Sequence, residues 1–322
     1  MRLPRMLVVM VALAALTLTA CTNEVSDGGG EGAPGGTSAP QAEGVTGRPV
    51  KVGFSAPGAD HGWLKAITDN ARKEADELGV DLVLSEGTND TASQVSQVET
   101  LISQKPDVLV ILPQEGGALT PIAQKAMQAG IPVVNVDREF STPAAFRTWI
   151  GGDNYGIGEA AANFIANELN CQGNVVEIQG VAGISVTQQR SKGFTDGIKR
   201  CNGGIKIVAS QPADFLPDKG LQVMETMLQA QQDIDAVYTH DDDMAMGAVQ
   251  AIRNANRQDE MFVTGAGGSK DAMNLIAEGD LYRATFLYNP SMSASAISLA
   301  KLIGERKGLS ELVEPEVPSR VE

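Results

Sequence analysis

Short runs of β-branched and other apolar residues alternate with longer amphipathic segments along most of this chain, starting near Val50. In the first half, four such runs are predicted as buried strands: Val52–Phe54, Leu82–Leu84, Val108–Leu112 and Val133–Val136. A helix is predicted over Lys65–Leu78, because its apolar residues fall on one face, and Gly79 is suited to end it. The alternation predicts repeated strand–helix units around a parallel sheet, which is an α/β fold.

The same pattern starts again in the second half of the chain. Its predicted strands are Val175–Ile178, Ile205–Val208, Ala236–Tyr238 and Phe262–Thr264, followed by a late strand around Tyr282–Phe286. A crossover strand precedes a predicted helix at Tyr155–Leu169, and a last helix is predicted at Met292–Arg306. We therefore expect two Rossmann-like lobes. The first comprises 48–151 plus about 287–311, the second comprises 152–286, and 312–322 would form a hinge or a truncated final strand.

The N-terminus has the pattern of a lipoprotein signal. Arg2 and Arg5 precede the apolar stretch Leu7–Leu18, and the run Leu18–Cys21 (LTAC) places small residues before a cysteine suited to carry a lipid. The stretch is shorter than the roughly 20 apolar residues that a transmembrane helix needs. We predict a signal peptide at 1–20, lipidation at Cys21 and a flexible linker over 21–47; the alternative is an uncleaved N-terminal anchor.

Charge and cysteine content narrow the possible partners. The net charge is −15, and loss of Arg2 and Arg5 with the signal lowers it to −17. This argues against nucleic acid or an anionic membrane surface as the main partner. Cys171 and Cys201 remain after lipidation, at the same end of one strand–helix unit, so a disulfide is favoured over two free thiols. With two histidines and no close Cys/His spacing, a zinc site is not expected.

Polar and aromatic side chains follow the predicted strands, at the edge where ligands bind in open α/β sheets. The distinctive positions are Asp60, His61, Trp63, Gln114, Asp137, Arg138, Arg190, Phe215, Asp241, Gly267 and Ser269. Carboxylates accept hydrogen bonds from hydroxyl groups, guanidinium groups donate to oxygens, and aromatic rings cover the C–H faces of a sugar. This combination of carboxylate, guanidinium and aromatic side chains suits a small polyhydroxylated ligand.

Each of these positions also has a plainer interpretation. Trp63 and Phe215 could pack beneath loops, Asp137 and Arg138 could form a surface ion pair, and Arg190 could be solvated. Acidic residues at the start of the helix near Met244 could stabilise the positive end of its dipole. We assign this role to Asp242 or Asp243 and ligand binding to Asp241. The glycine-rich segment Gly265–Gly268 resembles a phosphate-binding loop, but it lacks the Lys-Ser/Thr ending of a P-loop and the glycine spacing of a dinucleotide-binding motif.

Six stretches resemble one family. They are Ala71–Gly79 (ARKEADELG), Ile131–Arg138 (IPVVNVDR), Val176–Gly183 (VEIQGVAG), Gln189–Phe194 (QRSKGF), Ser210–Phe215 (SQPADF) and Asp241–Ala248 (DDDMAMGA). Together they are similar to the periplasmic sugar-binding proteins of ABC importers, in the ribose- and galactofuranose-binding branch. The resemblance implies a type 1 periplasmic binding fold, two lobes joined by a multi-strand hinge, and no catalytic activity.

The resemblance also implies residue roles. Trp63 and Phe215 match the two aromatic residues that sandwich the sugar in this family. Asp137 and Arg138 match the Asp-Arg pair that binds ring hydroxyls, and Arg190 matches the ligand-binding arginine of the second lobe. Tyr288 matches the last polar pocket position. Four positions depart from the pattern: Asp241 and His61 replace usual asparagines, Leu64 replaces a second aromatic, and Gly267 stands where an aspartate is usual. Backbone groups, Ser269, or Asp241 and its neighbours would replace that carboxylate.

The sequence thus predicts a monomeric, lipid-anchored protein held to the outer face of the cell membrane. It would capture a pentose, hexose or related polyol, in pyranose or furanose form, for an ABC permease and its ATPase, with no cofactor and no metal. Alternatives are a sugar-sensing receptor module, a repressor of the same fold, and a metal-assisted hydrolase using Asp241, Asp242 and Asp243. The repressor lacks support because a lipoprotein signal stands where its DNA-binding helices would be.

Overall fold

A computed structural model describes residues 44–87, 89–279, 281–306 and 320–321 of the chain. The predicted signal peptide, the lipidation site Cys21 and most of the predicted linker lie outside the described residues. Among the residues that are described, no helix combines the length and apolar character that crossing a membrane requires.

The first half of the described chain builds one sheet. Its elements are β1 (Lys51–Ala56), α1 (Gly62–Leu78), β2 (Asp81–Glu86), α2 (Thr91–Ser103), β3 (Val108–Ile111), α3 (Gly116–Gln128), β4 (Val133–Val136) and β5 (Thr148–Gly151). A short strand near the C-terminus, β11 (Arg320–Val321), the last strand in the chain, joins it. The order is β11-β5-β4-β3-β1-β2, with β11 antiparallel to β5 and the other pairs parallel.

The second half builds a separate parallel sheet. Its elements are α4 (Asn154–Glu168), β6 (Gly173–Gln179), α5 (Ser185–Gly197), β7 (Ile205–Pro212), α6 (Pro217–Ala230), β8 (Ala236–Thr239), α7 (Asp242–Asn254), β9 (Phe262–Gly267), α8 (Lys270–Glu278) and β10 (Tyr282–Leu287). The strand order is β10-β9-β8-β6-β7. We call the bodies around the two sheets the first lobe and the second lobe. The predicted α/β fold class is confirmed.

The chain passes between the lobes more than once. It leaves the first lobe after β5 and returns after β10, because the last helix, α9 (Met292–Glu305), packs against the first sheet. Met292, Ala296 and Ile297 of α9 lie in the same buried cluster as Val52 and Phe54 of β1. The strand β11 then pairs with β5, Arg320 opposite Gly151. Residues on these passages are therefore shared by both lobes.

The apolar face predicted for α1 is buried as expected. Ile67, Ala71 and Ala75 are closed to solvent, whereas Leu78 is half-buried at the end of the helix. Gly79 adopts a left-handed backbone (φ 65°) and its N–H donates to carbonyls of the last turn, so the predicted end is confirmed. The helix begins at Gly62, three residues before the predicted start, because the strand-end residues join its first turn.

The chain contacts the first lobe slightly before the predicted start of the folded body at residue 48. The Val45 N–H donates to the Gly304 carbonyl at 3.0 Å, and the Val45 side chain packs against the cluster that contains Val50 and Ile303. Val45 alone makes this contact from an otherwise polar segment, because α9 presents an apolar surface there.

Cys171 and Cys201 form a disulfide, as predicted. The bridge links the segment before β6 to the turn after α5, across a sequence separation of 30. A crosslink of this loop length lowers the entropy of the unfolded chain. We therefore expect reduction to lower the free energy of unfolding by about 3 kcal/mol, measured by urea denaturation with and without dithiothreitol. In the control, the double variant Cys171→Ser/Cys201→Ser, dithiothreitol should have no effect; an equal response there would contradict the assignment.

Candidate functional site

A cavity of about 270 Å³ lies between the two lobes. The first lobe contributes residues after β1 and β4, the second contributes residues of α5 after β6 and residues at the ends of β7, β8 and β9, and the passage after β10 contributes Tyr288 and Pro290. The lining residues are His61, Gly62, Trp63, Ala66, Asp137, Arg138, Val186, Arg190, Phe215, Asp241, Asp242, Asp243, Ala266, Gly267, Gly268, Ser269, Tyr288 and Pro290. The carboxyl ends of the strands in both sheets thus point to one space.

Ten of the twelve predicted site residues line this cavity. They are His61, Trp63, Asp137, Arg138, Arg190, Phe215, Asp241, Gly267, Ser269 and Tyr288. The additional candidates Asp60 and Gln114 lie behind it. Asp60 accepts hydrogen bonds from His61 Nδ1 (2.6 Å) and Asn89 Nδ2 (2.6 Å), and the Gln114 carbonyl accepts from Arg138 Nη1 at 2.8 Å. These two residues support side chains of the cavity wall and do not themselves form it.

Asp137 and Arg138 are buried, with exposed fractions of 3% and 4%. The surface ion-pair interpretation is therefore wrong. Asp137 Oδ2 lies 3.9 Å from Arg138 Nε, and Nε finds no hydrogen-bond partner among the described residues. Burial raises the pKa of the Asp137 carboxyl, while the neighbouring Arg138 charge opposes that rise. Both residues line the cavity, although Arg138 Nε itself is closed to solvent.

Tyr288 connects this pair to the second lobe. Its hydroxyl donates to Asp137 Oδ1 and accepts from Asn154 Nδ2 at 3.1 Å. Burial and the Asp137 charge raise the pKa of Tyr288, which keeps the phenol protonated as the donor. Its ring stacks on Trp63 at 5.4 Å, and the Arg190 guanidinium lies 4.5 Å from the ring centre. Tyr288 therefore holds side chains of both lobes in place.

The two predicted sugar-stacking aromatics lie on opposite lobes. Trp63 is half-buried and its Nε1 donates to the Tyr288 carbonyl at 3.1 Å, whereas Phe215 is 6% exposed and faces the His61 ring across the cleft at 6.0 Å. A Cβ at Gly180 would lie 2.0 Å from the Phe215 ring, so only glycine allows this ring position. Each aromatic thus has a protein ring beside it at the wall of the cavity.

All three acids at the start of α7 line the cavity, not Asp241 alone. Asp241 Oδ1 accepts the Met244 N–H at 2.9 Å and so caps the helix. Burial, together with the nearby Asp243 charge, raises the pKa of Asp241 well above its usual value. Asp243 Oδ2 accepts the Gly62 N–H of the first lobe at 3.2 Å. The assignment of Asp243 to the helix alone missed this contact, since the sequence does not show which helix ends face each other.

Asp242 lies beside the glycine that replaces the expected aspartate. Its carboxylate accepts from Ser269 N (2.6 Å), Tyr282 Oη (2.6 Å) and Thr285 Oγ1 (2.7 Å). Gly267 has φ 138°, and a Cβ there would lie 3.1 Å from Asp242 Oδ2. A carboxylate therefore occupies the space next to Gly267, although it comes from the neighbouring strand end and is held by three donors.

A buried polar network supports Arg190 from behind. Arg190 is 3% exposed, so the solvated interpretation is wrong; its Nη1 donates to the His240 carbonyl and its Nε to Asn154 Oδ1 at 2.9 Å. His240 Nδ1 accepts the Gly180 N–H (3.2 Å), so Nε2 carries the proton that bonds Glu177 Oε1 (3.0 Å). The network was not predicted from the sequence, because its members come from separate strands.

Glu177 is the centre of this network. Ser191 Oγ, Ser210 Oγ and Gln179 Nε2 also donate to its carboxylate, at 2.8, 2.6 and 3.1 Å. Burial raises the pKa of Glu177, but the bonds from His240 and the two serines outweigh burial and lower the value to about 2. Burial lowers the pKa of His240, which favours the neutral ring. The Glu177 carboxylate is thus a charged hydrogen-bond acceptor with its donors held in place around it.

A two-lobed α/β body with charged and aromatic side chains around a cavity between the lobes is typical of solute-binding proteins. The chain belongs to the periplasmic binding protein domain family, whose model matches residues 52–307. The resemblance and the type 1 periplasmic binding fold predicted from the sequence are thereby confirmed.

Named relatives agree with this assignment. The chain is 33% identical to the ribose import binding protein of Bacillus subtilis, covering 88% of both chains. It is 34% identical to the galactofuranose-binding protein of Escherichia coli, over 77% of this chain and 80% of that one. Among solved structures, a fructose-binding periplasmic domain of a hybrid two-component system superimposes with a TM-score of 0.75 at 30% identity, covering 84% and 90%. These relatives are binding proteins, as predicted, and not enzymes.

Proposed function

We propose that this protein captures a neutral monosaccharide, a pentose or hexose in pyranose or furanose form, or a related polyol, between its two lobes for an ABC importer. The observation that carries the proposal is the cavity of about 270 Å³, which both lobes line with charged and aromatic side chains. The ribose- and galactofuranose-binding relatives support a sugar as the ligand class.

The proposed residue roles follow from the chemistry of the wall. Asp137 and Asp241 accept hydrogen bonds from ligand hydroxyls, and Arg138 and Arg190 donate to ligand oxygens. Both arginines line the cavity, which supports such contacts. Trp63 and Phe215 cover the apolar faces of the ring from opposite lobes, with His61 beside Phe215. Because the two lobes supply complementary groups, binding favours the arrangement in which they approach.

The protein would deliver the captured sugar to a permease in the membrane that anchors it. The N-terminal pattern supports export and a lipid anchor at Cys21, followed by a linker that reaches the first lobe near Val45. A tether raises the concentration of the receptor near a permease and its ATPase in the same membrane. The protein would act as a monomer on the outer face of the cell membrane, with the anchor as its membrane contact.

A thermal-shift screen tests the ligand class. Pentoses, hexoses and alditols are offered to the folded protein, and a sugar at about 100 times its Kd should stabilise it by roughly 2.7 kcal/mol. Isothermal titration with the best sugar then gives Kd and a stoichiometry near one. Aldonates and sugar phosphates serve as matched anionic ligands, which the carboxylate-rich cavity should reject. If no neutral sugar or polyol raises the melting temperature, the proposed ligand class is wrong.

A second role, sugar sensing for a signalling partner, is favoured by the similarity to the fructose-binding domain of a two-component system. Uptake distinguishes the two roles. Deleting the gene should abolish accumulation of the radiolabelled sugar if the protein serves transport. Normal accumulation with a lost transcriptional response to the sugar would support the sensing role instead.

A further inference from the structure

Two sets of hydrogen bonds join the lobes at the edges of the cavity, and we propose that they hold the lobes closed independently of a bound sugar. The first is the bond from the Gly62 N–H to Asp243, which we call the trans cap. The second joins Glu139 of the first lobe to Ser185 and Gln189 of α5, and we call it the rim clasp. This inference rests on the proposed function only in that closure serves sugar capture.

The trans cap replaces a cap that α1 lacks. Asp90 caps α2 and Asp153 caps α4 from the preceding residue, each accepting an N–H of the first turn. At α1 the corresponding residue is His61, whose side chain makes no capping bond and whose Nδ1 is bonded to Asp60 instead. The first turn of α1 also contains no acidic residue.

Asp243 supplies the missing acceptor from the other lobe. Its Oδ2 lies 3.2 Å from the Gly62 nitrogen, and a negative charge near a helix N-terminus is stabilising. Parting of the lobes would break this bond and return the end of α1 to water. Asp243 is thus a positioning residue that makes the closed arrangement more stable than the open one.

The rim clasp also stabilises the closed arrangement, through residues that do not line the cavity. The Glu139 N–H donates to Ser185 Oγ at 3.2 Å, and Gln189 Nε2 donates to Glu139 Oε1 at 3.1 Å. None of Glu139, Ser185 and Gln189 belongs to the cavity wall. A change at Gln189 therefore alters the contact between lobes without removing a group that faces the ligand.

Interlobe distances measured without sugar test the proposal. Nitroxide labels at Gln128→Cys on α3 and Glu225→Cys on α6, both exposed, report a short distance for the closed form and a longer one for the open form. In Asp243→Ala/Gln189→Ala the ratio of closed to open protein should fall about ten-fold, because two weak bonds of this kind are lost. Asp243→Asn retains a capping oxygen and should change the ratio less than about two-fold.

Asp218→Ala is the matched control, since Asp218 is an exposed acid in the first turn of α6. It should leave the ratio unchanged. The proposal is overturned if the double variant keeps the ratio of the unsubstituted protein, or if that protein shows no short-distance population. Because no sugar is present, neither result depends on whether the proposed ligand class is correct.

Discussion

Replacing Asp137 with asparagine should weaken sugar binding at least about 100-fold, a loss of about 2.7 kcal/mol. Asparagine keeps the size of the side chain and an oxygen for the Tyr288 hydroxyl, so the buried contacts of the wall survive. It removes the charge that strengthens bonds to ligand hydroxyls and that balances Arg138 in a buried site. The measurement is isothermal titration with the best sugar from the screen.

Asp107→Asn is the matched control for this variant. Asp107 also pairs with an arginine, Arg48, through bonds of 2.8 Å, but it lies in the first lobe away from the cavity. Its sugar affinity should equal that of the unsubstituted protein. Undiminished binding by Asp137→Asn would remove Asp137 from the set of ligand-binding residues.

Alanine at position 137 is a poorer test. Like asparagine, it would leave the buried Arg138 guanidinium without its charge partner, but it would also remove the acceptor of the Tyr288 hydroxyl and leave a cavity, which adds a cost of about 1–3 kcal/mol of stability. A loss of binding would then mix with partial unfolding. Because the pair is buried, an alanine at this position is expected to cost stability as well as binding.

Replacing Glu177 with alanine should lower the free energy of unfolding by about 4 kcal/mol. The substitution deprives His240, Ser191 and Ser210 of their shared acceptor in a buried region. Urea denaturation at pH 7 measures the loss. Glu168→Ala is the control, because Glu168 forms an exposed ion pair with Arg283 (2.9 Å) and should change stability by less than about 1 kcal/mol. Equal losses in the two variants would contradict the central role of the Glu177 network.

The same carboxylate predicts an acid dependence of stability. The pKa of Glu177 is about 2 in the folded protein against 4.5 ordinarily, so the unfolded chain binds more protons between these values. The stabilisation, about 3 kcal/mol, is present above pH 4.5 and is lost as the pH falls toward 2. In Glu177→Gln this part of the pH dependence should be missing, which the difference between the two stability curves from pH 5 to 2 would show. Parallel curves would mean that Glu177 is not the group that titrates.

The strands and most cavity residues were predicted because their signals are local. Apolar runs mark buried strands, and in a parallel sheet the residues after the strands share one edge, which brought Asp137, Arg190 and Phe215 onto the predicted site. Asp60 and Gln114 follow strands too, yet they point behind the wall, since loop geometry after the strand decides their direction. Asp243 was assigned to its own helix because the approach of α1 from the other lobe leaves no trace in the pattern.

The α/β class, the two lobes, the family and most of the residue types offered to a ligand could be read from the sequence, because they depend on periodicity and on position along single strands. Which groups face the ligand depends on how the two lobes pack. The tertiary structure turned Asp137 and Arg138 from neighbours into a buried pair joined to Tyr288, placed the Asp242 carboxylate beside Gly267, and set Glu177 and His240 behind Arg190. Such contacts join residues from distant parts of the chain, so they exist only once the lobes have packed.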